Sequence, residues 1–158
     1  MKDDNLKRRK NPRLKEFNYS LPYIYFITIC SYEKKDIFID AEINKEIIKC
    51  LLQERNNNSI RLLVYCLMPN HIHLLVQPGK PGANITHFIG SFKSKTYRVF
   101  YKAGRKERVW QRRFYDHIVR TREDLPRIME YIVNNPVRKN LTDKWDDYLY
   151  SGYVDFLE

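Results

Sequence analysis

The 158-residue chain is poor in glycine, with five, and in cysteine, with three. Cys30, Cys50 and Cys66 are odd in number and show no C-x-x-C spacing, which excludes a disulfide framework and a zinc knuckle and leaves reduced thiols. No glycine- or serine-rich linker and no internal repeat divides the sequence. The longest apolar run, Leu21 to Cys30, is about half of what a membrane span needs. The opening residues, MKDDNLKRRKNPRLKE, lack the apolar stretch of a secretory signal. These shortages point to a cytoplasmic protein with no membrane partner. Acidic residues are also scarce: 19 Asp+Glu stand against 29 Lys+Arg, for a formal net charge of +10. That excess favours an anionic partner, nucleic acid first, and says nothing about fold. With 43% hydrophobic residues, the chain can bury a core as one domain.

Residues 1–16 carry seven basic and three acidic side chains and read as a basic arm ordered on a partner. Residues 17–158 read as a single domain. Pro22 to Cys30 is β-branched and aromatic, hence a strand. Asp40 caps a helix running to about Arg55, with Ile43, Ile47 and Leu51 on its apolar stripe. Ile60 to Met68 is apolar on both faces, as in a central strand. Met68-Pro69-Asn70-His71 forms a tight turn, and His71 to Gln77 returns as a strand. Asn84 to about Tyr101 is a second helix, broken near Gly104. A short strand precedes Arg120. A third helix starts near Glu123–Asp124 and ends by about Asn135, because Pro136 disfavours a helical residue before it. The aromatic tail packs back onto the domain. This order gives an α+β sandwich with a mainly antiparallel sheet, best matched by the ferredoxin-like, RRM-like topology.

Three features carry chemistry. His71-Ile72-His73 puts both imidazoles on one face of a strand, where they can grip one divalent metal; two half-exposed surface histidines are the plainer alternative. Tyr131 and Asn135 share a helix face at i and i+4. An activated tyrosine can act as a nucleophile, although a helical tyrosine between Ile128 and Ile132 is more often core. From Gly90 to Arg122, 11 Lys/Arg and two acids are interleaved with Phe92, Tyr97, Phe100, Tyr101, Trp110, Phe114 and Tyr115. Cations that hold phosphates beside rings that stack bases suit single-stranded or hairpin nucleic acid. The plainer alternative is a solvated charged face over core aromatics. Lys93, Lys95, Arg98, Arg112, Arg113 and Arg120 are the expected phosphate contacts.

Together these residues resemble a known family. YCLMPNHIHLLVQP (Tyr65–Pro78) closely resembles the His–hydrophobic–His (HUH) motif of the single-tyrosine transposases, most of all the REP-associated tyrosine transposases and their insertion-sequence relatives. VWQRRFYDHIVR (Val109–Arg120) is similar to the family's Trp-Gln…Asp-His-x-x-Arg segment, and YIVNNPVRKNL (Tyr131–Leu141) to its Tyr-Ile-x-x-Asn-Pro-Val segment. The resemblance implies a ferredoxin-like enzyme that cuts and rejoins single-stranded or hairpin DNA through a 5′-phosphotyrosine. It makes Tyr131 the nucleophile and His71, His73 and Asn135 the ligands of Mg²⁺ or Mn²⁺; His117, in the family-like Asp-His-x-x-Arg stretch, reads as a DNA contact, an orienting group or, at least as readily, a satisfied structural histidine. It implies action at the nucleoid of a bacterial or archaeal cell. Both a monomer and a homodimer remain open, as does imidazole preference for zinc or nickel. A non-catalytic single-strand binding module and another HUH nickase, of the replication-initiator or relaxase type, are the alternatives. The tail Asp147-Tyr148-Leu149-Tyr150-Ser151-Gly152 departs from the family's Asp-Tyr-x-Trp-Ser-Ser.

Overall fold

The computed structural model describes residues 17–157; the basic arm expected over 1–16 lies outside them. The chain runs β1 (Ile24–Cys30), a 3-10 turn at Tyr32–Lys34, α1 (Ala41–Asn57), β2 (Ile60–Met68), β3 (His71–Pro78), α2 (Ile85–Lys102) and β4 (Tyr115–Val119). It continues through α3 (Asp124–Val133), α4 (Asn135–Arg138), a second 3-10 turn at Trp145–Asp147 and β5 (Ser151–Tyr153). The sheet order is β4-β1-β3-β2-β5, with every neighbouring pair antiparallel. The α+β class and the antiparallel sheet agree with the sequence, and the order is consistent with a ferredoxin-like sandwich.

Strand alternation divides the core in two. Ile72, Leu74 and Val76 point to one face, where they pack with Ile47 and Leu51 of α1 and Phe88 and Phe92 of α2. Leu75 points to the other, where Val64, Met68 and Val119 meet Leu125, Ile128 and Ile132 of α3. The two sides differ in function: α1 and α2 seal one face of β3, and α3 covers only part of the face that carries the histidines.

Local chemistry sets the boundaries. The Asp40 carboxylate accepts from the backbone N–H of Glu42 and Ile43 at 2.9 and 3.0 Å, satisfying two orphan donors of α1. Asn84 does the same for α2 through His87 N–H at 3.1 Å. At α3 the expected start residues bond each other, Thr121 Oγ1 donating to Asp124 Oδ2 at 2.8 Å, and the cap position Glu123 makes no side-chain cap bond.

The end of the third helix corrects the sequence reading. α3 ends at Val133, within the expected limit of about Asn135, but Asn135 does not share the helix of Tyr131: after the break at Asn134 (φ −85°, ψ −1°) it opens the new helix α4, with Pro136 in its first turn. Proline lacks only a donor that a first turn leaves unused, so it fits there as well as it would break a helix interior. The tail packs back as expected: β5 pairs with β2, and Tyr148 Oη donates to the Leu67 carbonyl at 2.6 Å.

Two of the expected DNA contacts are engaged inside the fold. Lys93 Nζ donates to the carbonyls of Gln111 (2.8 Å) and Arg112 (3.3 Å), tying that segment to α2. Lys95 forms an ion pair with Glu54 of α1, whose residue is only 2% exposed. Burial pushes the Glu54 carboxyl up, but Lys95, Asn57 and Asn58 together hold it below its ordinary value. A depressed carboxyl contributes stability above its unfolded pKa of about 4.3 and loses it as pH falls through the folded value. Lys95→Ala therefore leaves a buried carboxylate short of its cation and should cost about 1–2 kcal/mol at neutral pH, less than a fully buried pair because Lys95 is half exposed. Urea denaturation checks this, and the deficit should shrink under acid.

Candidate active site

The two-residue turn Pro69–Asn70 pairs Met68 with His71 and starts β3 on a histidine. The period of two then brings His73 to the same face. His71 Nε2 and His73 Nε2 lie 3.2 Å apart. Each ring is held by its other nitrogen: His73 Nδ1 lies 2.9 Å from Thr28 Oγ1 on β1, and His71 Nδ1 lies 2.6 Å from Asn70 Oδ1. The Asn70 oxygen can only accept, so His71 Nδ1 carries the proton and its Nε2 presents a lone pair. Asn135 arrives from α4, with its side-chain amide 3.1 Å from His71 Nε2. His73 and Asn135 are 1% and 4% exposed, so both are rigidly set.

This donor set suits a divalent cation. Two ligand atoms at right angles, each about 2.1 Å from an ion, stand about 3 Å apart, close to the spacing here. The two ends of a carboxamide are nearly isosteric, so the Asn135 oxygen can occupy the position facing His71. Among the described residues no three His, Cys, Asp or Glu side chains form a metal cluster; the third donor is the asparagine amide. All three donors are neutral, so a bound dication keeps its full charge for an anion. Cys66 is the register partner of His73; burial pushes its thiol up to about 12, with Arg138 opposing only in part.

Tyr131 lines the same cleft as His71, His73 and Asn135. Its ring stands edge-on to Phe26 of β1 at a centroid distance of 6.2 Å and lies 6.2 Å from the His73 ring. The sequence-predicted quartet is thus brought together. Thr28, Cys30, Asn70, Lys34 and Lys139 complete the lining. Lys139 was within reach of the sequence, being i+4 from Asn135. Lys34 was not: it enters through a turn where Glu33 and Lys34 have φ of 57° and 55°, with no glycine to announce it.

The expected DNA contacts scatter. Lys93, Lys95 and Arg98 belong to α2, on the sheet face away from the histidines. Arg112 and Arg113 are exposed beside the cleft end of β1, where Gln111 N–H donates to the Cys30 carbonyl at 2.9 Å. His117 pairs with Phe26, and Val119 with Ile24. Arg120 therefore follows the opposite end of β1, about 20 Å from Cys30.

Comparison with known proteins places these features. The family model described as "Transposase IS200 like" matches residues 18–135. A candidate REP-associated tyrosine transposase of Haemophilus influenzae is 30% identical over 140 residues, covering 82% of this chain and 79% of that protein. A second, uncharacterised H. influenzae protein is 29% identical over 159 residues, covering 82% and 88%. Among solved structures, a REP-associated tyrosine transposase bound to a REP hairpin superposes with a TM-score of 0.70 at 17% identity, over 89% of this chain and 81% of that one. A candidate transposase from Deinococcus radiodurans R1 gives a TM-score of 0.53 at 18% identity, over 78% and 97%. At those identities the two structures bear on the fold alone.

Proposed function

The chain belongs to the IS200-like transposase family, in its REP-associated tyrosine transposase branch, and on that premise we propose that it cuts and rejoins single-stranded DNA at hairpin or palindromic repeat ends. The observation that carries this reading is the convergence of His73 Nε2 and the Asn135 amide on His71 Nε2, at 3.2 and 3.1 Å, in the cleft that Tyr131 lines. The hairpin held by the solved relative supports a hairpin substrate. We read the first four strands and their helices as the ferredoxin-like, RRM-like sandwich, supported by the order β4-β1-β3-β2. Among the described residues no helix is long and apolar enough to cross a membrane.

In this mechanism His71, His73 and Asn135 would hold Mg²⁺ or Mn²⁺. When bound there, such an ion would supply Lewis-acid polarisation of the scissile phosphate and offset charge on its oxygens. Tyr131 supplies the nucleophile. Its oxygen forms a bond to phosphorus as the bond to the 3′-oxygen breaks, leaving a 5′-phosphotyrosine and a free 3′-OH. The phenolic proton passes to solvent and the departing oxygen takes one up. Attack of a second 3′-OH reverses the exchange, and since one phosphodiester replaces another, ATP is not required. Lys34 and Lys139 flank the cleft with positive charge. The cleft is small, about 260 Å³, below the roughly 300–1,000 Å³ of small-molecule pockets; it suits one phosphodiester of a strand lying across it.

Incubation of the chain with a hairpin-bearing oligonucleotide and Mg²⁺ or Mn²⁺ should give a denaturant-resistant protein–DNA adduct. Binding that ignores chelator, with no cleavage under either metal, would establish a non-catalytic module instead. Thr28 tests the ligand support. Thr28→Val keeps the shape and removes the hydroxyl that orients His73, so Mn²⁺ affinity should fall about 10–100-fold. Titration calorimetry reads this directly, with thermal unfolding as a control for the fold.

A further inference from the structure

Arg138 lies seven residues beyond Tyr131, across the α3–α4 break, and returns to it twice. Its guanidinium carbon sits 4.0 Å from the centre of the Tyr131 ring, and its Nη2 donates to the Tyr131 backbone carbonyl at 2.7 Å. A cation over an aromatic face is attracted by the ring's negative face. The carbonyl bond fixes where that cation stands, because a planar fork held at one corner has little freedom left. Phe26 meets the same ring edge-on. The phenol is therefore gripped between a strand residue and a cation of the helix that also carries Asn135.

We propose that Arg138 is a positioning residue for strand cleavage: it holds the Tyr131 phenol in line for attack and faces the ring that takes on negative charge as the phenolic proton leaves. This rests on the reading of Tyr131 as the nucleophile. Arg138 exchanges no proton in the step. The phenolic proton still goes to solvent, the new bond is tyrosyl oxygen to phosphorus, and the bond broken is phosphorus to the 3′-oxygen. A purely structural account would make Arg138 a cap for the last turn of α3, since helix C-terminal carbonyls attract cations. The two accounts differ in what else fails on substitution.

The test is single-turnover adduct formation at saturating hairpin oligonucleotide with Mn²⁺, for the natural chain, Arg138→Met and Arg138→Lys. Arg138→Met should be slower by about 10²-fold, the usual consequence of a misaimed nucleophile. Its hairpin affinity and its Mn²⁺ affinity, read by electron paramagnetic resonance without reference to activity, should stay within about twofold. Arg138→Lys, which keeps the charge and loses the flat stacking plane, should fall between. Two results overturn the proposal: a Met variant within about threefold of the natural rate, or an Mn²⁺ affinity that falls in step with the rate, which would make Arg138 a strut for α4. Failure of the parent reading is distinguishable, because it is seen without any Arg138 variant. A natural chain that forms no adduct, or an undiminished adduct from Tyr131→Phe, overturns both.

Discussion

Tyr131→Phe removes the covalent protein–DNA product below detection and leaves hairpin affinity within about twofold. The substitution deletes one oxygen. The ring contacts to Phe26 and His73 and the Arg138 stack all use the ring, so the cleft keeps its shape. What disappears is the only atom of that side chain able to bond to phosphorus, and no rotamer change can replace it. Among the described residues, Tyr131 is the tyrosine that lines the cleft; Tyr25, for instance, is fully buried. Denaturing gel electrophoresis with labelled oligonucleotide reads the adduct, and fluorescence anisotropy reads binding. An undiminished adduct in this variant would refute the assignment of the nucleophile.

The second large effect is expected at His71. His71→Ala should lower Mn²⁺ affinity by at least about 10²-fold, because even the outer partners of ligating histidines are worth about 10–100-fold. Adduct formation at a fixed, moderate metal concentration should fall in parallel and recover in part as metal is raised. His71 is the better probe of the pair. It is half-buried at the end of β3, so its loss leaves the core intact. His73 is 1% exposed and hydrogen-bonded to Thr28; its removal would mix a cavity with the loss of a ligand. Calorimetric titration with Mn²⁺, alongside thermal unfolding, separates ligand loss from misfolding. Unchanged affinity in a folded His71→Ala chain would remove the metal from this cleft.

Much of this was legible in the chain because it depends on short periods. A spacing of two on a strand fixes His71 beside His73 without knowledge of the remaining fold; a spacing of four kept Tyr131 and Asn135 close, although the break at Asn134 divides them between α3 and α4. The tight turn at Pro69–Asn70 was legible for the same reason. The support of the site was not. Thr28 reaches His73 only through the register between β1 and β3, and register is a property of two distant segments. Lys34 depends on a left-handed turn built from ordinary residues. The basic run from Gly90 to Arg122 read as one set of phosphate contacts, yet Lys93, Lys95 and Arg98 lie on α2, Arg112 and Arg113 stand beside the Cys30 end of β1, and Arg120 follows its other end. Lys95 looked free because its partner, Glu54, lies in another helix. Asn135 was assigned to the helix of Tyr131 but opens α4 instead, because proline is barred from the middle of a helix but welcome at its beginning.

The tail strand has a consequence for the order of events when the chain is made. Among the described residues, the outer edge of β2 is closed by residues from Tyr148 onward: Leu67 N–H donates to the Tyr150 carbonyl, Val154 N–H to Leu63 and Asp155 N–H to Leu62. The Asp155 side chain then accepts from Leu62 N–H at a separation of 93 residues. During synthesis β2 can pair with β3 at once, across a two-residue turn, but its other edge waits until those 93 residues have emerged. For that interval a nine-residue, largely apolar strand shows open backbone donors and acceptors to any neighbouring chain. The finished sheet is guarded at that edge by a strand of three residues, and the vulnerable period of this protein is its own birth.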